Sequence, residues 1–104
     1  MEEESKTLRV YISGAISGTN LEYTRSEFRE AEEWLSDNGY EPVNPFNNGV
    51  TENASIQEHM RADYKMLLSC DGIMMLSGWY KSKNCKSEFD VATTCGMFVV
   101  DLEF

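Results

Sequence analysis

Two periods of apolar residues alternate along this chain. Leu8 to Ser13 (Leu-Arg-Val-Tyr-Ile-Ser) is β-branched and aromatic, which predicts a strand. After the small-residue loop Gly14-Ala-Ile-Ser-Gly18, Leu21, Thr24, Phe28, Ala31 and Leu35 recur at helical spacing. Thr19 with Glu22 has the form of a capping box for that helix, and Gly39 suits its end. Tyr40 to Asn44 predicts a short second strand, stopped by Pro45, with a turn-rich loop from Phe46 to Ala54. Ser55 and Glu58 form a second capping box, opening a helix that runs to about Ser69. Gly72 to Ser77 contains Ile-Met-Met-Leu, an unbroken apolar run that suits a strand buried on both faces. A loop from Gly78 to Asn84 leads to a third helix over Cys85 to Cys95, and Met97 to Leu102 predicts a last strand. Strands alternating with helices in the order β-α-β-α-β-α-β predict an α/β fold: a parallel sheet of about four strands with right-handed crossovers.

Composition narrows the partners. The 104 residues amount to one domain's worth, read as a single domain over 1–104 with residues 1–6 as a tail. A formal net charge of -9 argues against a nucleic-acid polymer, whose phosphates need clustered Lys and Arg. A single nucleotide needs only a helix N-terminus and a few donors. Three cysteines without CxxC spacing fit neither a disulfide framework nor a zinc site, and no metal or cofactor is expected. The acidic N-terminus shows no apolar leader, and no stretch approaches the roughly 20 apolar residues of a membrane span. A cytoplasmic, reducing location is the expectation.

Ligands of open parallel sheets bind beyond the carboxyl ends of the strands. That rim comprises Gly14 to Gly18, Asn44 to Asn48 and Gly78 to Glu88. Two acids break the apolar pattern. Glu88 shares a face of the third helix with Val91, Ala92 and Cys95, so it either complements the helix dipole in the first turn or faces a site. Asp63 falls within the stripe Ile56, Met60, Tyr64 and Leu67 of the second helix. A carboxylate there needs a partner such as Arg61, a backbone donor or a cleft. Paired carboxylates can divide the work of nucleophile and general acid. The Gly14–Gly18 loop, with Ile16 and Ser17, lacks both the GxGxxG and P-loop patterns; its glycines admit a ligand close to the backbone or simply make a tight turn. Trp79 and Tyr80 either stack on a base or sugar or cover the edge of the core. His59, the one histidine, reads as a surface residue or a neighbour of the cap, and Cys85 as an inert thiol.

Taken together, Tyr11-Ile-Ser-Gly-Ala-Ile-Ser-Gly18, Val43-Asn44-Pro45, Met60-Arg-Ala-Asp63, Leu68-Ser-Cys-Asp-Gly-Ile73, Leu76-Ser-Gly-Trp79 and Ser82 through Glu88 to Ala92 resemble the nucleoside 2-deoxyribosyltransferase-like superfamily. More narrowly they resemble its short branch, the DUF4406 family. The resemblance implies a three-layer, doubly wound, Rossmann- or flavodoxin-like fold, a homo-oligomer, and an N-glycosidic bond as target. It implies Glu88 as the nucleophile that forms a deoxyribosyl ester, Asp63 as the assisting acid, Tyr11 and Gly14 near the sugar, and Ser82 at a position where serine accompanies 5′-monophosphate substrates. Ala15 and Asn84 depart from the family's proline and glycine, and the sequence ends at its fourth strand, where fuller transferases run on to residues that complete a neighbour's site. These departures carry the alternative of a non-catalytic nucleotide-binding or sensing module. A third reading, a structural protein that keeps only the fold, requires that Glu88 and Asp63 share no open pocket.

Overall fold

The computed structural model describes residues 6–16 and 19–101. The elements are β1 (Arg9–Ser13), α1 (Leu21–Asp37), β2 (Glu41–Val43), α2 (Ile56–Leu68), β3 (Gly72–Met75), α3 (Lys83–Thr94) and β4 (Phe98–Asp101). Short 3-10 turns lie at Pro45–Asn47 and Trp79–Lys81. The four strands form one parallel sheet in the order β2-β1-β3-β4, with Tyr11 opposite Val43 and Ser13 opposite Met75. This is the expected Rossmann-like α/β arrangement.

Side-chain alternation along β1 divides the core in two. Val10 and Ile12 face α1 and pack with Phe28, Ala31, Leu35 and Met74. Tyr11 faces α2 and α3, in a cluster with Leu67, Cys70, Ile73, Met75, Cys85 and Ala92. The outer strand β4 crosses β3 closely at Gly72, where a Cβ would come within 2.4 Å of the Phe98 ring.

Several boundaries differ from the expectations. Asn20, not Thr19, caps α1: its Oδ1 accepts the Tyr23 N–H at 3.0 Å. The Thr19 hydroxyl is already committed, donating to the Ile16 carbonyl at 2.6 Å and accepting from Thr24 at 2.8 Å. The Ser55–Glu58 capping box forms as expected. α3 begins at Lys83 rather than Cys85, because Ser82 Oγ accepts the Cys85 N–H at 3.2 Å and caps the helix there. At its other end the helix stops at Thr94, so Cys95 is the C-cap and is exposed instead of sharing the buried face. Cys85 is buried, and burial pushes its thiol up, which fits an inert residue. Among the described residues no helix is long and apolar enough to cross a membrane, and no group of His, Cys, Asp and Glu has a metal-binding arrangement.

Candidate functional site

Glu88 is 5% exposed, beneath the sheet face formed by alternate residues of β1. Tyr11 and Ser13 stand two apart on that strand and so point the same way. The Tyr11 hydroxyl donates to Glu88 Oε2 at 2.9 Å, and Ser13 Oγ donates to Oε1 at 2.7 Å. With α3 starting at Lys83, Glu88 is the sixth residue of the helix. A dipole effect fades within the first turn, so dipole complementation does not account for a buried acid there. Burial pushes the Glu88 carboxyl up to about 7; the Ser13 and Tyr11 donors oppose that rise, and the Asp63 charge adds to it. Burial, together with the Glu88 and Asp63 charges, drives the Tyr11 phenol far above its ordinary range, so it remains a donor.

Asp63 is half-buried on α2. Its partner is not Arg61 but Asn48, whose Nδ2 donates to Asp63 Oδ1 at 2.9 Å. Burial pushes this carboxyl up too, against the lowering influence of the Asn48 donor and of the His59 charge whenever that ring is protonated. His59 is no bystander of the cap. Its Nδ1 lies 3.2 Å from Asn48 Nδ2, and the ring joins the wall of the same cavity. Positions 59 and 63 are one turn apart on α2, so both reach one side.

The cavity measures about 850 Å³, within the range of small-molecule sites. It opens beyond the carboxyl ends of β1 and β3, and Glu88 and Asp63 both line it. That meets the condition against a fold-only protein. Lys81, Ser82, Lys83 and Asn84 form the wall at the N-terminus of α3, where backbone N–H groups favour an anion. Leu21 and Ile56, both exposed, supply apolar lips. Arg25 lies 4.5 Å over the Phe46 ring and 3.3 Å from Glu52, joining α1 to the loop before α2.

Of the residues expected at the site, Tyr11, Gly14, Ile16, Ser82, Asp63 and Glu88 line the cavity. Ser17 and Gly18 lie outside the described residues. Asn44 and Trp79 are elsewhere. Asn44 Oδ1 accepts the Phe46 N–H at 2.9 Å and caps the first 3-10 turn. Trp79 stacks on Phe89, with ring centroids 4.8 Å apart, and covers the core. Gly14 is required for packing more than for ligand approach, since a Cβ would meet Leu76 at 2.8 Å and Phe28 at 3.1 Å. Asn48, Lys81 and Lys83 fall within the rim expected from the sequence, although none was singled out there, and Ser13 was not expected at the site. Ser13 was accessible in principle, being two residues beyond Tyr11 in a strand.

Over residues 8–101 the chain matches the family described as Domain of unknown function (DUF4406). The chain belongs to that family. Among solved structures it is similar to a conserved protein from Enterococcus faecalis V583, at 24% identity and a TM-score of 0.68, over 92% of this chain and 63% of that one. It is also similar to a CMP N-glycosidase from Clostridium botulinum, at 20% identity and a TM-score of 0.63, over 89% of this chain and 69% of that one. At these identities the likeness establishes the shared fold. The chain thus spans just under two-thirds of the Enterococcus protein. No curated protein matches it significantly.

Proposed function

We propose that this DUF4406 protein is an N-glycosidic-bond enzyme of the nucleoside 2-deoxyribosyltransferase-like kind. It acts on 2′-deoxynucleosides or their 5′-monophosphates, by base exchange or hydrolysis. The observation that carries the reading is a buried carboxyl at the floor of a nucleotide-sized cavity, held by two hydroxyl donors, with a second raised carboxyl on the wall. The Clostridium neighbour's activity supports the bond type without fixing the substrate.

In this mechanism Glu88 carboxylate attacks the anomeric carbon. The bond from that carbon to the base nitrogen breaks, and its electron pair leaves with the base, which takes a proton from Asp63. The product is a glycosyl ester of Glu88. Water or an acceptor base then attacks the same carbon, gives its proton to Asp63 carboxylate and frees Glu88. A carboxyl poised near 7 suits this work: positive charge building on the sugar pulls it to the ionised form as the reaction proceeds. Lys81, Lys83 and the N-terminus of α3 favour a phosphate-bearing ligand, and the Ser82 hydroxyl hydrogen can be donated to it while its oxygen caps the helix. A small-molecule ligand, a homo-oligomer and a cytoplasmic location belong to the same reading.

A second reading rests on one observation. Both Glu88 oxygens are engaged by donors, as suits a fixed acceptor in a non-catalytic nucleotide-binding or sensing module. Incubation with 2′-deoxynucleosides and with ribo- and deoxynucleoside 5′-monophosphates, followed by chromatography for free base, separates the two. The enzyme reading expects base release that Glu88→Ala abolishes. Release unchanged in that variant, or none from any compound, rules the enzyme out. Nucleotide-dependent thermal stabilisation without release supports the binding module instead.

A further inference from the structure

The Asn48 amide is oriented from three sides. Its Oδ1 accepts the Val50 N–H at 2.9 Å, which leaves the amide nitrogen as the end turned toward α2. From there Nδ2 donates to Asp63 Oδ1 at 2.9 Å and lies 3.2 Å from His59 Nδ1. The amide nitrogen carries two hydrogens and no acceptor, so it serves both neighbours only if His59 Nδ1 presents a lone pair. When Nδ1 accepts in this way, the imidazole is the neutral form with its hydrogen on Nε2. All three side chains line the cavity that holds Glu88.

We propose that Asn48 is the positioning residue for Asp63, and that His59 is the acceptor that keeps the Asn48 amide turned toward it. The proposal rests on the glycosidase reading given above. With Oδ1 engaged by Asn48, the transferable proton of Asp63 resides on Oδ2. As the bond to the base breaks, that proton moves to the base nitrogen, the electron pair of the broken bond leaves with the base, and Asp63 becomes a carboxylate. A hydrogen bond to an ionised acceptor is shorter and stronger than one to a neutral acid. The Asn48 contact thus tightens as the proton departs, which is stabilisation realised in the transition state rather than in the bound substrate. The loop that carries Asn48 is tied at both ends of this contact: Asn44 caps the 3-10 turn before it, and the Val50 N–H closes the turn after it.

The test has two arms on the full chain. In the first, Asn48→Ala, His59→Gln and His59→Leu are assayed on deoxycytidine 5′-monophosphate and on the panel member that wild type turns over fastest. Loss of alignment lowers kcat in Asn48→Ala roughly tenfold to a hundredfold, with KM little changed. His59→Gln, whose amide oxygen can accept in place of Nδ1, retains most of kcat, whereas His59→Leu follows Asn48→Ala. Wild-type kcat in Asn48→Ala, or a change confined to KM, overturns the proposal. The second arm needs no turnover. Nuclear magnetic resonance reads the His59 tautomer and the Asp63 carboxyl titration. The expected results are an unprotonated Nδ1 in neutral His59 and an Asp63 midpoint that rises in Asn48→Ala, because the donor that holds it down is gone. A hydrogen on Nδ1 of neutral His59, or an unmoved Asp63 midpoint, overturns the proposal even in an active enzyme. An inactive wild type overturns the glycosidase reading and the proton-transfer role with it, while the titration still shows whether Asn48 holds Asp63.

Discussion

The two faces of the sheet use the same strands to opposite ends. Toward α1, β1 and β3 present Val10, Ile12 and Met74 to Phe28, Ala31 and Leu35, and Phe28 meets Phe46 edge-on at 5.1 Å. Toward α2 and α3, β1 presents Tyr11 and Ser13 to a buried carboxyl. One face gains stability from apolar burial. The other spends some of it to keep an acid out of water, and the cost is visible as the upward push on Glu88. A shift of one residue in β1 would exchange the two sets, so the register that seals one face also builds the site on the other.

The largest effect should come from breaking the sealed face. Phe28→Ala removes a fully buried ring and is expected to cost about 3–5 kcal/mol in urea unfolding. A cost near zero would mean that this face is not the anchor. Glu88→Gln acts on the other face with the opposite sign. The folded-state midpoint of Glu88, about 7, lies above the ordinary 4.5, so the folded protein holds that proton more tightly than the unfolded chain. Its contribution is full below 4.5 and is lost as pH rises through about 7. At mildly alkaline pH, Glu88→Gln should therefore be more stable than wild type by up to about 3 kcal/mol, with the gap closing in acid. A gap that does not vary with pH would contradict the buried acid.

Ser13→Ala sharpens the comparison, because it removes a donor that holds the charged form more strongly than the neutral acid. It should cost about 1.5–3 kcal/mol above neutrality and less in acid, and should raise the Glu88 midpoint followed by NMR titration. Ser55→Ala is the control. It should lower thermal stability by about 1 kcal/mol through loss of the α2 cap, leaving the Glu88 titration unmoved.

The α1 face was nearly all legible in the sequence, because helical and strand periods are local. Thr24, Phe28, Ala31 and Leu35 are buried as their spacing predicts, whereas Leu21, the first residue of the same stripe, is exposed at the cavity rim. Glu88 and Asp63 were legible as acids in apolar stripes for the same reason. Their partners were not. Asn48 reaches Asp63 across a loop whose path depends on the 3-10 turn and the Val50 contact, neither of which has a periodic signature. The choice of Asn20 over Thr19 as cap was decided by a contact to Ile16, and Trp79 was drawn to Phe89 rather than to the cavity. In each case several residue types offered the same local chemistry, and tertiary placement chose among them.

The central claim is that Glu88 carries the sugar. Acid-quenched turnover of a nucleoside 5′-monophosphate, followed by peptide mass spectrometry, tests it most directly. The account predicts a sugar-phosphate adduct on the peptide containing Glu88, absent from Glu88→Gln together with base release. An adduct on another residue, or base released at the wild-type rate by Glu88→Gln, would contradict it.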